Sequence, residues 1–249
     1  MKYRKEYIHE KIEVWVRELT LFSEIAAFAP QEAYTCFTSG YKHKLNFCMR
    51  TIPGISEDLK QLDEVVSTKF IPAVTGGIQP NNVERNLFSL PPSQGGLGIP
   101  IFSELADREF TNSALLTEQL QKNILSQEPP NNIDDEVIKK LKSKIKLDKT
   151  MQNQQLLKTI KDSLPEDKIK LIDISREKGA SLWLTTLPIK DEGFQMDKQS
   201  FWDLIRIRYG HQLTRLPSEA FVATNSTWII PFHVKRVVLL RSATTQFEI

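Results

Sequence analysis

The chain has 249 residues, 40% of them hydrophobic, and a formal net charge of +2. This length and apolar content suffice for one large or two small domains with a buried core. Because the net charge is close to zero, overall charge does not attract the chain to nucleic acid or to a membrane. A charged partner therefore has to bind a local patch of charged residues. No apolar run approaches the roughly 18 residues of a membrane helix, and the charged start lacks an apolar signal region. We therefore expect a soluble, intracellular protein.

Two cysteines, Cys36 and Cys48, cannot make a disulfide framework and are expected to be buried thiols in a reducing compartment.

The first fifty residues are predicted to be helical. Apolar residues recur at three- and four-residue spacing from Tyr3 to Phe28, which predicts a long amphipathic helix. Pro30 ends this pattern and suits the first turn of a second helix over Gln31 to Gly40. A third helix is predicted from Leu45 to Thr51.

A fourth helix is predicted from Ser56, the expected N-cap, to the Gly76-Gly77 pair. A loop-rich stretch from Leu87 to Pro100 follows it and contains the glycines of Gly95-Gly96-Leu97-Gly98. A glycine loop before a helix can cradle a phosphate. Because no Lys-Ser/Thr follows these glycines and no strand pattern precedes them, a compact turn between helical layers is the favoured interpretation. A further helix is predicted from Ser103 to Leu125.

The segment Gln127 to Asn132 is the predicted linker, because paired prolines and asparagines cannot continue a helix. It separates a helical bundle over residues 1–126 from a second helical region over residues 133–219. The second region opens with a lysine-rich helix, and further charged helices are predicted over 156–164, 168–178 and 197–210. Three lysines of the first of these helices are candidates for contacts with nucleic-acid phosphates: Lys139, Lys140 and Lys142. The alternative is a solvated helix face, since the lysines cover most of the helix surface.

No motif in the chain specifies catalysis. The four histidines have no cysteine or carboxylate at metal-ligand spacing: they are His9, His43, His211 and His233. No Gly-x-Ser-x-Gly elbow is present, and neither cysteine has the context of a nucleophile. We expect no catalytic residue, no metal, no cofactor and no small-molecule substrate.

Three sequence blocks carry a family resemblance. The first comprises Glu24-Ile25-Ala26 through Ala33-Tyr34, Arg50-Thr51-Ile52-Pro53 and Phe70-Ile71-Pro72-Ala73-Val74-Thr75-Gly76. The second comprises Leu90-Pro91, Gly95-Gly96-Leu97-Gly98-Ile99, Phe110, Ser113 and Thr117. The third comprises Gly179-Ala180-Ser181-Leu182-Trp183-Leu184, Leu187-Pro188, Gly193-Phe194, Lys198, Phe201 and Arg208-Tyr209-Gly210. In order and spacing, over residues 3 to 219, these blocks resemble the region downstream of the polymerase palm in reverse transcriptases of animal mobile elements.

The resemblance implies a mainly α-helical thumb and connection region. It also implies that the first helices follow the backbone of a template–primer duplex through Lys42, Lys44 and Arg50; the alternative for these three residues is ordinary surface charge. Reverse transcriptases bind two catalytic cations with aspartates that are typically presented as Tyr-x-Asp-Asp, a motif that this chain lacks. We therefore expect a fragment whose palm would precede Met1.

The last thirty residues differ in composition from the rest of the chain. After Glu219 the family has Cys-x-Cys-Gly and further Cys and His ligands, whereas this chain has Ala220-Phe221-Val222-Ala223. Loss of the first base from TGC GTT TGT GGC leaves GCG TTT GTG GC, which encodes the observed residues. We therefore expect a frameshifted, poorly structured tail over residues 220–249.

These observations lead to three hypotheses about function. The first is a reverse-transcriptase fragment whose residual role is at most binding of an RNA–DNA or DNA duplex. The second is a helical module retained by the host, which binds protein or nucleic acid through the lysine-rich helix. The third is a relic without a selected function.

Overall fold

The structure, a computed structural model, describes residues 2–127 and 135–213. The described part of the chain is mainly helical and contains no strand, which confirms the predicted fold class. The predicted tail over 220–249 lies outside the described residues, as does the predicted linker except for residue 127.

The first layer is built around the long helix α1. The helices of this layer are α1 (Lys2–Ala26), α2 (Pro30–Cys36), α3 (Lys42–Lys44) and α4 (Asn46–Thr51), with a π-helical segment (Phe37–Tyr41) between α2 and α3. The inward face of α1, which includes Ile12, Trp15 and Leu19, is buried, and α1 packs against α2 and the helix that follows α4. The predicted amphipathic pattern of α1 is thus confirmed.

The next helical stretch has three parts: α5 (Ser56–Val65), a second π-helical segment (Val66–Phe70) and α6 (Ile71–Thr75). It ends as predicted at Gly76, whose φ of 69° is left-handed. The prediction that Ser56 is the N-cap was wrong. Ile55 occupies the cap position, and the Ser56 hydroxyl donates instead to Oδ2 of Asp107 at 3.2 Å.

A helix that the sequence patterns did not predict, α7 (Asn82–Ser89), begins before the predicted loop-rich stretch and includes its first residues. Its start is a capping box, in which the Asn81 side chain accepts from the Glu84 amide at 2.9 Å and the Glu84 carboxylate accepts from the Asn81 amide at 3.3 Å. A short 3₁₀ turn (Pro92–Gln94) and the glycine loop lead to the long helix α8 (Phe102–Ser126).

The second half of the described chain contains four helices: α9 (Asp135–Asp162), α10 (Glu166–Arg176), α11 (Leu182–Thr185) and α12 (Lys198–Arg208). Helix α9 spans both the lysine-rich segment and most of the helix predicted over 156–164. Helix α12 packs against α2 and α6, and α9 packs against α7 and α8.

Buried side chains from both predicted regions belong to one hydrophobic core. The rings of Tyr34 in α2 and Phe201 in α12, for example, lie 6.1 Å apart between centroids. The separation of the chain into two domains at 127–132 stays a prediction.

Candidate nucleic-acid interface

A short basic turn follows the first π-helical segment. Phe37 holds the π-helical segment against the core, because its ring is fully buried and stacks on Phe70 with ring centroids 4.4 Å apart. Leu45, also fully buried, anchors the turn on its other side. Between these anchors His43 and Lys44 are exposed and Lys42 is half-buried.

Lys44 and Arg50, two of the predicted contact residues, are paired with carboxylates. Nζ of Lys44 lies 2.6 Å from Oε2 of Glu18, and Nε of Arg50 lies 3.1 Å from Oε2 of Glu109. The side chains of both cations remain about half exposed, at 46% and 54%. Because ion pairs at such exposure contribute little free energy, they leave the two cations accessible to a stronger anionic partner.

Lys42, the third of these residues, has no ion pair among the residues that the structure describes. Its Nζ lies 4.0 Å from the position that a Cβ on Gly98 would take. Burial lowers the pKa of Lys42, and the charge of Lys149 on α9 lowers it further. Both causes act against the protonated form of Lys42.

Helix α8 holds α9 beside this turn. Glu109 of α8 binds Arg50, and the neighbouring Arg108 donates from Nη1 to Oε1 of Gln152 on α9 at 2.5 Å. Lys149 lies one turn before Gln152 on the same helix.

His43 has several cations as neighbours. Burial is the largest cause of its lowered pKa, and the charges of Lys42, Arg50 and Lys149 add to it. The adjacent residues Arg108 and Glu109 of α8 bind Gln152 of α9 and Arg50, so the α9 turn that carries Lys149 and the end of α4 meet the same part of α8. We refer to Lys42, His43, Arg50 and Lys149 as the basic face.

Lys149 was not among the residues predicted from the sequence, although a signal for it exists. Lys149 lies four residues after Ile145 and four residues before Asn153, which places these three side chains next to one another on one side of α9. Leu157 is buried, and Leu141 and Ile145 are half-buried. A lysine four residues after an inward apolar residue, Ile145, is thus the sequence signal that could have found Lys149, whose own side chain is exposed.

The predicted residues Lys139, Lys140 and Lys142 are exposed on the first half of α9. Lys142 precedes Lys149 by seven residues, so the two lysines lie on the same side of α9, about 10 Å apart along its axis. The first half of α9 thereby continues the basic face along the helix.

The backbone amides of the glycine loop are already occupied. The Gly96 amide donates to the Pro91 carbonyl at 3.1 Å, and the Gly98 amide donates to the Leu90 carbonyl at 2.8 Å. Since a phosphate loop needs free amides that point toward the ligand, these bonds favour the interpretation as a compact turn.

Of the two cysteines, Cys48 is buried as expected but Cys36 is exposed, so the prediction of two buried thiols was wrong for Cys36. Within residues 2–127 and 135–213, no three His, Cys, Asp or Glu side chains are grouped so that they could hold a metal ion. None of the helices in these ranges is both long and apolar enough to cross a membrane.

An open cleft of about 410 Å³ lies between the start of α2 and the residues before α12. Its charged side chains have partners inside the protein: Glu32 accepts from Gln195 at 2.6 Å, and Nζ of Lys198 lies 4.5 Å from the Trp202 ring centroid. The basic face is the stronger candidate for a binding surface.

No protein-family model matches the chain, and no match to it was found among curated proteins or among solved structures. The resemblance to reverse transcriptases therefore rests on the residues of the three sequence blocks.

Proposed function

We propose that the chain is a fragment of a mobile-element reverse transcriptase without the palm, and that it binds the backbone of a nucleic-acid duplex through its basic face. The observation that carries this proposal is that adjacent residues of α8 bind Arg50 and Gln152, which lies one turn from Lys149, so that cations of α4 and α9 meet at one part of the surface. Cations grouped on one surface bind a polyanion because each neutralised phosphate releases counterions.

The length of α9 supports a duplex as the ligand. A helix of 28 residues is about 42 Å long, which exceeds the roughly 34–36 Å of one turn of a DNA duplex. Lys139, Lys140 and Lys142 in its first half therefore contact phosphates beyond those that the basic face reaches. Such contacts set affinity and register without reading base sequence.

Hydrogen bonds join the three resembling blocks, or residues beside them, in the fold. Arg208 of the third block donates to the Pro92 carbonyl beside the second block at 3.0 Å, and the Tyr209 hydroxyl donates to the Gly95 carbonyl at 3.1 Å. The Trp202 indole donates to the Ala73 carbonyl of the first block at 3.0 Å. Of these bonds, the one between Tyr209 and Gly95 is buried and joins two residues that themselves carry the resemblance.

Binding to an RNA–DNA hybrid over a series of KCl concentrations tests the function. The informative variant of the full chain replaces Lys139, Lys140 and Lys142 with alanine. A matched control replaces three exposed lysines that pair with glutamates on their own helices, namely Lys60, Lys122 and Lys170. Both variants remove the same charge, so only the position of the lysines differs.

We expect the first variant to bind the hybrid more weakly and with a smaller salt dependence. The log–log slope should fall by about one unit for each phosphate that is no longer neutralised. The control variant should bind like the wild type. Equal weakening in the two variants would point to overall charge, and absence of salt-dependent binding by the wild type would end the proposal.

The nucleotide sequence around the reading frame tests the origin separately. A fragment of a reverse transcriptase predicts an upstream Tyr-x-Asp-Asp in frame with the chain, and a downstream Cys-x-Cys-Gly that one inserted base restores after Glu219. Bases that cannot encode these cysteines in the neighbouring frame would remove the support for a frameshift.

Exposed apolar side chains favour a second candidate, a helical module that binds a protein. The end of α8 exposes Leu120, Ile124 and Leu125, and the start of α9 exposes Val137. A protein partner would cover these side chains, so Ile124→Glu would prevent its binding without affecting the hybrid. A chain that binds neither ligand and is digested by protease as fast as an unfolded polypeptide would be a relic.

A further inference from the structure

We propose that the chain forms a dimer in which the outward faces of α1 from two copies pack against each other in antiparallel orientation. This inference goes beyond the proposed function, because the surface lies outside the basic face and the partner is a second copy of the chain. The surface is a second apolar stripe on α1, which we call the α1 stripe. It consists of six residues: Tyr3, Tyr7, Val14, Leu21, Ile25 and Phe28.

The α1 stripe follows from the period of the helix. Tyr7, Val14 and Leu21 are seven residues apart, which returns each side chain to nearly the same side of α1 after two turns. Phe28 is the next residue in this series. It lies just past the end of α1, where its amide still donates to the Ile25 carbonyl at 3.0 Å. With about 100° of rotation per residue, the six side chains lie within about 60° of one another around the helix axis.

The α1 stripe is separate from the face of α1 that packs in the core. Its centre lies about 140° around the helix from the buried side chains of Ile12, Trp15 and Leu19. Within the stripe, Leu21 is 55% exposed and Phe28 is 80% exposed. A helix on the surface of a globular protein normally has one apolar stripe, and a large exposed apolar patch marks an interaction site. The second stripe of α1 is therefore a docking surface.

The spacing of the α1 stripe matches the same stripe in reverse direction. In an antiparallel pair of helices centred on Val14, each residue meets the residue that lies equally far on the other side of Val14. Tyr7 then meets Leu21 of the second copy, and Tyr3 meets Ile25 of the second copy. Every one of these contacts is apolar, over a length of about 33 Å. The tyrosine rings supply apolar area and can keep their hydroxyl groups in water.

The charges beside the α1 stripe fit the same register. Lys11 and Glu18 flank one edge of the stripe, and like edges meet in an antiparallel pair, so Lys11 of each copy lies opposite Glu18 of the other. The midpoint of this pair is within one residue of Val14, the centre that the apolar spacing gives. Such exposed pairs add little free energy, but they favour this register over one that brings like charges together. The net charge of +2 leaves little repulsion between two whole chains.

Both charged groups are held at the edge of the stripe. Nζ of Lys11 lies 5.5 Å from the centroid of the Tyr7 ring, and among the described residues Lys11 has no ion pair. The Glu18 carboxylate accepts from Nζ of Lys44 at 2.6 Å and from the Tyr41 hydroxyl at 3.3 Å. Lys11 is thus available to a carboxylate of the second copy, and the position of that carboxylate is fixed by its own chain.

Sedimentation velocity of the full chain over a range of protein concentrations tests the dimer. The informative variant is Leu21→Glu, which places a carboxylate in the contact with Tyr7. Leu187→Glu is the matched control, because Leu187 is 56% exposed, nearly the same fraction as Leu21, and lies outside α1. Circular dichroism checks that each variant folds. Should Leu21→Glu fail to fold, Ile25→Glu takes its place, since Ile25 is also 55% exposed.

We expect the wild type and the control to change from monomer to dimer as the concentration rises, and Leu21→Glu to stay monomeric at the highest concentration. A wild type that is monomeric throughout would mean that the stripe serves another partner, and would overturn the dimer. Dimers that Leu21→Glu retains would place the interface elsewhere. Loss of the dimer in both variants would show that any added charge disrupts it, and would equally overturn the assignment to α1.

Cysteine cross-linking tests the antiparallel orientation. The background is Cys36→Ser, which removes the exposed native thiol. Val14→Cys should form a disulfide-linked dimer on oxidation, because this residue meets its own copy. Tyr7→Cys and Leu21→Cys should each fail to cross-link alone, because like positions lie about 21 Å apart along the helices, whereas a mixture of the two variants should cross-link. Self-cross-linking of Leu21→Cys would mean a parallel pair and would overturn the proposed arrangement.

Discussion

The guanidinium of Arg208 donates from Nη2 to the carbonyl oxygen of Pro92 at 3.0 Å, and thereby joins the end of α12 to the turn before the glycine loop. The same nitrogen lies 3.4 Å from the Gly96 carbonyl. The Arg208 side chain is only 7% exposed, so these carbonyls have little water to replace it.

Replacement of Arg208 by methionine should destabilise the protein by about 2 kcal/mol, because the Pro92 and Gly96 carbonyls lose a charged hydrogen-bond donor and only Pro92 keeps another, the Ser181 hydroxyl. Urea unfolding followed by circular dichroism measures the change. Arg17→Met, on the exposed side of α1, is the control and should remain within about 0.5 kcal/mol of the wild type. Equal stability of the two variants would contradict a structural role for Arg208.

A methyl group at Gly96 should be among the most damaging substitutions in the chain. A Cβ at this position would lie 2.6 Å from the Leu87 carbonyl oxygen and 2.5 Å from the Leu90 carbonyl carbon, distances that side-chain carbons do not adopt. Because both neighbours are backbone, the loop itself has to move. We expect Gly96→Ala to lower the unfolding free energy by more than about 3 kcal/mol.

Gly40→Ala is the matched control for Gly96. Gly40 is helical, and a Cβ there would meet no atom within 4 Å. Since alanine loses less backbone entropy on folding than glycine does, this variant should be more stable by about 0.5–1 kcal/mol. Urea unfolding of both variants should give changes of opposite sign, and destabilisation of similar size in both would show that the contacts at Gly96 do not matter.

Local sequence signals explain which parts of the fold could be predicted. The apolar period of α1 and the glycine after α6 act within a few residues, and both predictions are confirmed. Helix α7 was missed although the Asn81 and Glu84 pair is a capping box, because the prolines and glycines that follow dominate the pattern. Ser56 was assigned wrongly because its hydroxyl finds a distant partner, Asp107, that local sequence does not indicate.

The candidate site was less predictable for the same reason. Lys42 and Arg50 could be proposed from the resemblance, but the position of Lys149 beside them depends on how α8 and α9 pack. That packing involves side chains far apart in sequence, such as Arg108 and Gln152. Only the spacing of Lys149 from the inward residue Ile145 carried a sequence signal.

The first turn of α8 is capped by a residue from another helix. Asp63 of α5 accepts hydrogen bonds from the Phe102 amide at 2.7 Å and the Ser103 amide at 2.9 Å. A carboxylate at this position also interacts favourably with the positive end of the helix. Asp63→Ala should therefore destabilise the protein by about 1–2 kcal/mol.

Hydrogen exchange of the α8 amides checks this prediction. Protection should fall most in the first turn of α8, whereas Glu64→Ala, at the exposed neighbouring position of α5, should leave it unchanged. A drop in stability with no change in the exchange of this turn would mean that Asp63 acts elsewhere.

Glu84 is expected to make the stability depend on pH. Oε1 of this carboxylate lies 3.1 Å from Nε2 of His211 and 3.4 Å from Nζ of Lys168. The contact with His211 is the largest cause that lowers the pKa of Glu84 to about 2; burial opposes it, and the hydrogen bond from the Asn81 amide and the charge of Lys168 add to it. Since the folded pKa lies below the unfolded value of about 4.3, the unfolded state takes up the proton first.

The stabilisation from Glu84 is therefore complete above about pH 4.5 and is lost as the pH falls toward 2, with a total on the order of 2–3 kcal/mol. Glu84→Gln removes this titration but retains a side chain that can complete the capping box.

Urea unfolding at several pH values between 7 and 3 measures the difference in unfolding free energy between the wild type and this variant. The wild type should lose its advantage in unfolding free energy as the pH falls. Glu64→Gln, an exposed carboxylate on α5, is the control and should follow the wild type. If the advantage of the wild type over Glu84→Gln did not change with pH, the carboxylate would have the same pKa in both states, and the contact with His211 would contribute nothing to folding.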